Sequence, residues 1–355
     1  MEGLRAYDPA DVLALRAWLV DHGADPDRAD RALRDMQAED LAVDLVLERG
    51  AVLTARQLAE AGGMPVESVV ELFHDLALAV PDVDVPQFTE VDVVLVQLLG
   101  MAKAHGIVRS SDLLRVVAGS MERIAEAAVA VYVQGPEEDL RRRNASGLEC
   151  AESTTSATEL ALALGAGLAP IFRHHMRQAV ARQRVIQEGV SRREMARVAI
   201  GFVDLVGSTT LQARLDPEAL GAQVSRFESR AFDVTAAGGG RLVKFIGDEI
   251  MVAAADPVAG CRIVVDLVDA FTDDGTQPRA GLVYGEVLFR HGDYYGPVVN
   301  LGARLVDAAI PGEALVDASV AEAVKDESLS FEPAGRRMLK GLDTPVAVWT
   351  LATSG

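Results

Sequence analysis

The spacing of apolar residues divides the chain into two regions with different periodicity. From residue 8 to about 135, apolar residues recur every three or four positions, as in DVLALRAWLVDHG and SDLLRVVAGSMERIAEAAVAVYV. This spacing predicts amphipathic helices, and glycines 23, 50 and 106 are placed where helices would stop. From Val198 onward, apolar runs typical of strands alternate with helical segments in the order β-α-β-β-α-β, followed by a further helix and strands. The pattern predicts an α+β protein: an all-α region, then a ferredoxin-like βαββαβ domain.

The polar segment 134–147 reads as a loop, and a long helical segment then joins the two regions. Residues 158–200 read as one long helix or two stacked helices, apolar in the first part and arginine-rich in the last. We therefore predict a helical domain over 1–158, a linker or switch helix over 159–194 and a second domain over 195–355. The apolar stretch 160–172 is either buried helix core or the lining of a lipid-like pocket.

Charge and composition restrict the classes of ligand. The formal net charge is −19 with a pI of about 4.7, so the chain should repel DNA, RNA and anionic membranes. Residues 53–73 resemble a helix-turn-helix, but the second helix carries Glu67 and Glu71 and no Lys or Arg. This favours a packing element over a DNA-reading helix. A DNA-binding regulator remains the alternative for this segment.

Two further features bear on the cellular location. Cys150 and Cys261 form neither a disulfide framework nor a zinc spacing, which fits a reducing cytoplasm. The N-terminal residues lack the pattern of a signal peptide, and no uninterrupted apolar run approaches the ~18 residues of a membrane span. We expect a cytoplasmic protein without a transmembrane segment.

Adjacent carboxylates interrupt an apolar strand pattern in FIGDEIMVAAAD. Burying an unpaired carboxylate costs several kcal/mol, so Asp248 and Glu249 must lie at a turn facing water or face a bound cation. The strand FVDLV ends near Asp204, and a strand-turn-strand hairpin should lie beside it in a βαββ sheet. Asp204 and Asp248 can therefore converge. Glu249 either faces solvent or holds a neighbouring backbone group.

A candidate anion-binding loop follows Asp204. Gly207, Ser208 and Thr209 open a predicted helix, where backbone N–H groups and the helix dipole favour an anion. Two carboxylates beside a phosphate-binding loop suit two divalent ions, Mg²⁺ or Mn²⁺, whose remaining ligands a triphosphate would supply.

A third stretch, GDYYGPVVNLGARL, supplies Asp293, Asn300 and Arg304. Asn300 and Arg304 are four residues apart and share one helix face. The planar guanidinium of Arg304 is suited to stabilising charge on a phosphoryl group. Lys244, four residues before Asp248, adds a cation near the same site.

These linked motifs resemble the catalytic domain of class III nucleotidyl cyclases, particularly the actinobacterial soluble adenylyl cyclases, over roughly residues 195–352. The resemblance rests on FVDLVGST, KFIGDE and D-x6-N-x3-R in this order. Many relatives read Gly-Phe-Thr where this chain reads Gly-Ser-Thr, which leaves the backbone donors unchanged. The resemblance implies an adenylyl cyclase that converts ATP to 3′,5′-cyclic AMP and pyrophosphate.

The resemblance also implies a role for each motif residue. Asp204 and Asp248 hold two metal ions, and Lys244 and Asp293 bind the adenine edge. Guanylyl relatives usually carry Glu and Cys-like residues there, so this pair favours ATP. The roles implied for the remaining residues are ribose orientation for Asn300, transition-state stabilisation for Arg304 and terminal-phosphate contact for Lys340.

Assembly and regulation follow from the same resemblance. Because the family's site combines residues of two chains and this chain has one cyclase domain, we expect a head-to-tail homodimer with two sites. The helical region resembles the regulatory domain of pH-responsive mycobacterial-type cyclases, so proton or small-molecule regulation is expected. Protonation of His174 and His175 beside Arg173 and Arg177 would add like charge; that the two histidines have no switch role is an equally open reading.

Two other functions remain open from the residues alone. IGDEI is similar to the turn of diguanylate cyclases, although Lys244 and the helix bearing Asn300 argue against that class. A nucleotide-binding sensor without turnover is the second, disfavoured because no motif residue is missing. For the substrate, the corresponding alternative is GTP, used by a guanylyl cyclase.

Overall fold

The computed structural model describes residues 9–80, 82–106, 112–186, 195–206, 215–273 and 276–353. Its helices are α1 Pro9–Asp21, α2 Pro26–Arg34, α3 Ala38–Leu47, α4 Ala55–Gly62, α5 Val66–Asp75, α6 Glu90–Ala104, α7 Asp112–Tyr132, α8 Glu138–Arg142, α9 Gly147–Ile186, α10 Pro217–Ala237, α11 Pro257–Asp273, α12 Pro297–Ala308 and α13 Ala318–Ala323. Its strands are β1 Met195–Val206, β2 Arg241–Ile246, β3 Glu249–Ala254, β4 Gln277–Arg290, β5 Asp293–Tyr295, β6 Ala314–Asp317, β7 Leu329–Arg337 and β8 Val346–Thr353.

Packing divides the chain into two compact units, Met1–Arg173 and His174–Gly355, and α9 runs across the division. Within the first unit, α1–α3 enclose a small core that includes Leu15, Leu19 and Leu41. A second core includes Leu58 and Phe73, which lie on α4 and α5. The predicted all-α region is confirmed.

The helix-turn-helix segment forms as the sequence predicts. Thr54 caps α4 by accepting a hydrogen bond from the backbone N–H of Gln57, and Gly63 ends the helix with a φ of 68°. The buried residues Val69 and Phe73 of α5 pack in the same core as Leu58. A cavity of about 870 Å³ lies among α4, α5, α6 and α7.

Two local expectations in the first unit are wrong. The polar segment 134–147 reads as a loop, yet Val133–Glu137 forms a π-helical turn and α8 follows it, anchored by the buried Leu140. The stretch 160–172 is not buried core, because Leu160 and Phe172 are 72% and 66% exposed. A continuous apolar run shows that a segment is hydrophobic, but it does not show whether another part of the protein packs over that segment.

Helix α9 is unusual in its length and exposure. Among the described helices, it alone is long and apolar enough to cross a bilayer, judged by length and composition only. Its most apolar window has a mean hydropathy of 1.3, and 6% of that window is buried. Because core helices of soluble proteins pass the same test, this is weak evidence for membrane insertion.

The second unit is built around one mixed sheet with the strand order β2-β3-β1-β4-β6-β8-β7, and β5 pairs with β4. The order β2-β3-β1-β4, with α10 and α11 as the connecting helices, is the ferredoxin-like βαββαβ arrangement, which confirms the predicted fold class. β1 is central and runs antiparallel to both β3 and β4. The strand bearing Asp204 therefore lies directly beside the hairpin bearing Asp248.

Alternation along the strands separates two faces of the sheet. On one face, Val203 of β1 and Val252 of β3 pack under α10 and α11 with Leu267. On the other, Phe202 and Met251 pack under α12 with Leu305. We call the latter the α12 face. Residues 204, 249 and 279 follow this alternation onto the α12 face, because 202, 251 and 281 lie there and side chains repeat every second residue.

Candidate active site

Asp204 lies near the end of β1, where it pairs with Glu249 of β3 on one side and Arg279 of β4 on the other. The Arg279 Nη2 atom lies 2.6 Å from Asp204 Oδ2, and Nε donates to the same oxygen at 2.8 Å. The Asp204 side chain is 17% exposed, so this ion pair is largely protected from water. Arg279 also donates from Nη1 to the backbone oxygen of Asp307 at 3.0 Å, which ties β4 to the end of α12.

Asp248 occupies a two-residue turn between β2 and β3, as predicted. Gly247 has a φ of 66° and Asp248 follows it, with Ile246 and Glu249 paired across the turn. Glycine in the first central position with positive φ is typical of a type II′ hairpin turn. The turn thus places Asp248 at the end of the hairpin next to Asp204.

The pKa of Glu249 depends on its burial and on the other carboxylates of this region. Burial and the neighbouring charges of Asp204, Asp307 and Asp248 raise the pKa of Glu249 to about 7, while Arg279 acts in the opposite direction. Glu249 is half-buried rather than exposed, so the expectation that it simply faces solvent is wrong. Four carboxylates therefore concentrate negative charge at one end of the sheet.

Lys244 and Asp293 form a direct contact, although they lie on different hairpins. Lys244 Nζ is 2.5 Å from Asp293 Oδ2, and the two side chains are 41% and 21% exposed. Asp293 Oδ1 accepts a hydrogen bond from the backbone N–H of Tyr294 at 2.8 Å. The pair presents a cation and a carboxylate side by side.

Helix α12 carries Asn300 and Arg304 on one face, as their spacing predicts. Asn300 is exposed, and Arg304 is half-buried with its Nη1 atom 3.5 Å from Asp307 Oδ2. The helix approaches the sheet closely because Gly302 lies against the Phe202 ring and Gly281 lies against the α12 backbone. These two close glycine contacts thus set the position of both polar side chains.

The remaining predicted residues lie in other places. Lys340 is exposed in the turn that follows β7. Gly207, Ser208 and Thr209 lie outside the described residues. His174 and His175 are exposed on α9, which precedes β1 in the chain.

The donor set fits divalent ions that bring part of their own coordination. No group of three or more His, Cys, Asp or Glu side chains within the described ranges forms a complete metal centre. Asp204 and Asp248 are hard oxygen donors at adjacent strand ends. Burial is the main cause of the raised pKa of Glu249 beside them, and the charges of Asp204, Asp307 and Asp248 add to it. Mg²⁺ is commonly held by one or two carboxylates plus substrate phosphates.

Arg279 is a site residue that the motifs did not identify. In the sequence it is one arginine at the start of an apolar strand, RAGLVYGEVLF, without a distinctive spacing. The available signal was its place in the sheet, since antiparallel pairing puts it directly opposite Asp204. A register prediction for β1 and β4 would have found it.

Comparison with known proteins identifies this arrangement. Residues 190–353 match the model of the adenylate and guanylate cyclase catalytic domain. An adenylate cyclase of Streptomyces coelicolor is 33% identical over 289 residues, covering 78% of this chain and 73% of that protein. The chain belongs to the class III adenylate and guanylate cyclase family.

Two further similarities concern the full length and the fold of this cyclase. A protein described as a pH-sensitive adenylate cyclase, from Mycobacterium tuberculosis strain CDC 1551, is 28% identical and covers 94% of this chain and 86% of its own length. The crystal structure of the Pseudomonas aeruginosa adenylyl cyclase CyaB is 23% identical with a TM-score of 0.41, covering 45% of this chain and 96% of that chain.

Proposed function

We propose that this cyclase converts ATP to 3′,5′-cyclic AMP and pyrophosphate. The observation that carries the choice of ATP is the contact between Lys244 Nζ and Asp293 Oδ2 at 2.5 Å. Adenine offers an acceptor at N1 beside a donor amine, which complements a lysine beside a carboxylate. Guanine offers the reverse pattern, a donor at N1 beside a carbonyl oxygen. In the same position it would place its donor against the Lys244 ammonium and its carbonyl oxygen against the Asp293 carboxylate.

The reaction joins the ribose 3′-oxygen to the α-phosphorus and breaks the bond to the pyrophosphate oxygen. Asn300 orients the ribose, and Arg304 donates to the α-phosphate oxygens as charge develops on them. The proton of the 3′-hydroxyl leaves to water or to a phosphate oxygen of the substrate. Lys340 contacts the terminal phosphates, and the exposure of its turn leaves it accessible to them.

Asp204 and Asp248 are the residues that would hold divalent ions. Two such ions, when bound, supply a lowered pKa for the 3′-hydroxyl and neutralisation of the triphosphate. Arg279 keeps the Asp204 carboxylate oriented towards the end of the sheet through its two contacts. Mg²⁺ and Mn²⁺ both suit oxygen donors of this kind.

We further propose a head-to-tail homodimer in which Asp204 and Asp248 of one chain face the base and ribose residues of the other. Support comes from large apolar side chains that are exposed next to site residues in the sequence. Monomeric surfaces seldom expose apolar side chains in such groups, whereas interfaces do. The exposed apolar residues that lie close to a site residue in the sequence are Val206, Ile246, Tyr295, Ile310, Met338 and Leu342.

Acid activation through the helical unit is the regulation that we propose, on the basis of the M. tuberculosis relative named as pH-sensitive. His174 and His175 are the candidate switch residues because they lie on exposed α9 between Arg173 and Arg177. A small molecule acting through the same unit is the alternative signal. The activity of the full chain should then rise in acid while that of residues 195–355 does not, and identical pH profiles would refute the proposal.

A cytoplasmic location is part of the proposal because ATP and reduced thiols are found there. The exposed apolar helix α9 makes a membrane location testable. Sedimentation of cell membranes should leave the full chain in the supernatant. Recovery in the membrane pellet that resists high salt would place α9 in the bilayer.

The decisive test measures product from ATP and from GTP with Mg²⁺ or Mn²⁺ at pH 5.5 and 8. The full chain should form cyclic AMP from ATP, and Asp204→Ala should abolish it. Asp216→Ala, at the exposed N-cap of α10, is a matched aspartate control that should keep activity. ATP binding without product under every condition would favour a nucleotide sensor. Cyclic GMP would identify a guanylyl cyclase, and cyclic di-GMP a diguanylate cyclase.

A further inference from the structure

A β-bulge sets which face of the sheet Lys244 occupies. Arg241 pairs with Ala253 and Lys244 pairs with Met251, so Val243 is an extra residue in β2. Without the bulge, side chains three residues apart would point to opposite faces. Because Ala253 and Met251 both lie on the α12 face, Arg241 and Lys244 lie there together.

The β4–β5 hairpin brings Asp293 to this pair through a tight turn. Arg290 and Asp293 are paired, and His291 and Gly292 between them have φ values of 55° and 77°. Positive φ at both central residues is typical of a type I′ turn, which matches the strand twist. Asp293 is therefore the first residue after the turn, and the position of its carboxylate depends on where the hairpin lies.

Arg241 holds this hairpin at three points. Its Nη2 atom donates to the backbone oxygen of Gly292 in the turn. Its guanidinium carbon lies 5.9 Å from the ring centroid of Phe289 on β4 and 5.8 Å from that of Tyr294 on β5. The two rings contact each other at 5.0 Å, and Tyr294 is 6% exposed. One guanidinium thus joins both strands and the turn to β2.

The contact between Lys244 and Asp293 is not sufficient by itself to hold the Asp293 carboxylate in position. Lys244 is 41% exposed, and ion pairs open to water contribute little to conformational order. The Asp293 carboxylate is further directed by the N–H of Tyr294, a residue whose ring Arg241 contacts. Arg241 therefore positions Tyr294, and the N–H of Tyr294 in turn positions the Asp293 carboxylate.

We propose that Arg241 is a positioning residue that sets base specificity: it clamps the β4–β5 hairpin onto β2, so that Asp293 lies beside Lys244 before a nucleotide binds. The inference rests on the proposed function, because it assigns Lys244 and Asp293 to the base. A preorganised pair needs no ordering on binding and rejects guanine more strongly than a mobile pair.

The test compares Arg241→Met, Arg241→Lys and the control Arg197→Met in the full chain. Arg197 is an arginine of the same sheet on the opposite face, with one weak contact, Nη2 to Glu286 Oε1 at 3.9 Å. Arg241→Met should raise the KM for ATP about tenfold with kcat within about threefold, and lower the ATP-to-GTP ratio of kcat/KM about tenfold. Arg241→Lys should recover part of both effects because it keeps a cation over the rings.

Amide hydrogen exchange distinguishes the clamp from loss of the fold. Exchange at the Tyr294 N–H should quicken in Arg241→Met, while exchange in β1 and β4 near residues 199–203 and 280–283 stays as in the unmutated chain. Unchanged KM, base preference and Tyr294 exchange would overturn the proposal. So would a global loss of protection in both Arg241 variants, because Arg241 would then serve folding.

Failure of the proposed function has a different outcome. If the unmutated chain forms no cyclic AMP, the activity is refuted, and the clamp is tested by calorimetric Kd values for ATP and GTP with the same variants. A weaker Kd for ATP in Arg241→Met, with Arg197→Met unchanged, would support the clamp. Equal values for all three proteins would refute it.

Discussion

Replacing Gly281 by alanine should displace α12 without altering any polar residue of the site. A Cβ atom at Gly281 would lie 2.5 Å from the backbone N of Val306, 2.7 Å from the backbone O of Gly302 and 2.8 Å from Leu305 Cβ. All three atoms belong to α12, and two are backbone, so no side-chain rotation relieves the contact. The helix that carries Asn300 and Arg304 must move away from β4.

The size of the movement follows from these distances. Ordinary contact begins at 3.4 Å, so an atom at 2.5 Å requires a retreat of about 0.9 Å. Overpacking of this kind costs about 1–3 kcal/mol. A displacement of about 1 Å can lower a rate about 100-fold, so kcat should fall about 30- to 100-fold.

The assay combines steady-state kinetics of cyclic AMP formation with thermal unfolding. Gly281→Ala should lose kcat and lower the Tm of the second unit by about 2–4 °C per kcal/mol. Gly221→Ala is the matched control, since nothing lies within 4 Å of its Cβ and it is exposed on α10. It should gain about 0.5–1 kcal/mol and keep kcat. Activity of Gly281→Ala equal to that of Gly221→Ala would refute the reasoning.

Three further predictions concern stability and reactivity. Glu313→Gln should cost about 2–4 kcal/mol in urea unfolding, because the 11% exposed Glu313 side chain accepts from Arg337 Nη2 at 3.0 Å and from the N–H of Ile310 at 3.0 Å; an unchanged midpoint would contradict this. Burial raises the pKa of Asp317, so the stability that the protonated carboxyl contributes is present below its unfolded pKa of about 3.9 and is lost as pH rises through the folded pKa. The Tm of Asp317→Asn should therefore rise relative to the Tm of the unmutated chain between pH 4 and 8. Parallel Tm curves for the two proteins would be evidence against this prediction. Burial raises the pKa of the Cys261 thiol to about 12, so a thiol reagent at pH 8 should modify Cys261 only after denaturation, and rapid native labelling would disprove the buried position.

The sequence predicted those features that depend on local periodicity and turn chemistry. The β-α-β-β-α-β order, the turn bearing Asp248 and the shared helix face of Asn300 and Arg304 all follow from spacing within about ten residues. Each of these signals is set by neighbours along the chain. The fold class was predictable on that basis, and the meeting of β1 with the Asp248 hairpin followed from the topology of that fold class.

Features that depend on the residue-by-residue register between strands were not predictable in the same way. The bulge at Val243 leaves no mark in the apolar pattern, because its effect appears only when β2 is aligned with β3. The partnership of Arg279 with Asp204 likewise requires the register of β1 against β4. The apolar stretch 160–172 predicted burial, but hydrophobicity alone does not say which surface covers a helix.

The unequal cover of the two sheet faces accounts for where the polar residues gather. One face packs under two helices, α10 and α11, of 21 and 17 residues, whereas the other packs under α12, of 12 residues, and the β4–β5 hairpin. Lys244 is tolerated on the less covered face because that part of the face stays open to water or to a ligand, whereas the largely buried Asp204 is tolerated because Arg279 neutralises its charge. Apolar residues such as Val206 and Ile246 are also exposed along the open margin of the α12 face, which is unfavourable for a single chain in water. A second copy placed over the margin would cover these residues while adding its own carboxylates to the base and ribose groups, and this is the physical ground for proposing a site shared between two chains.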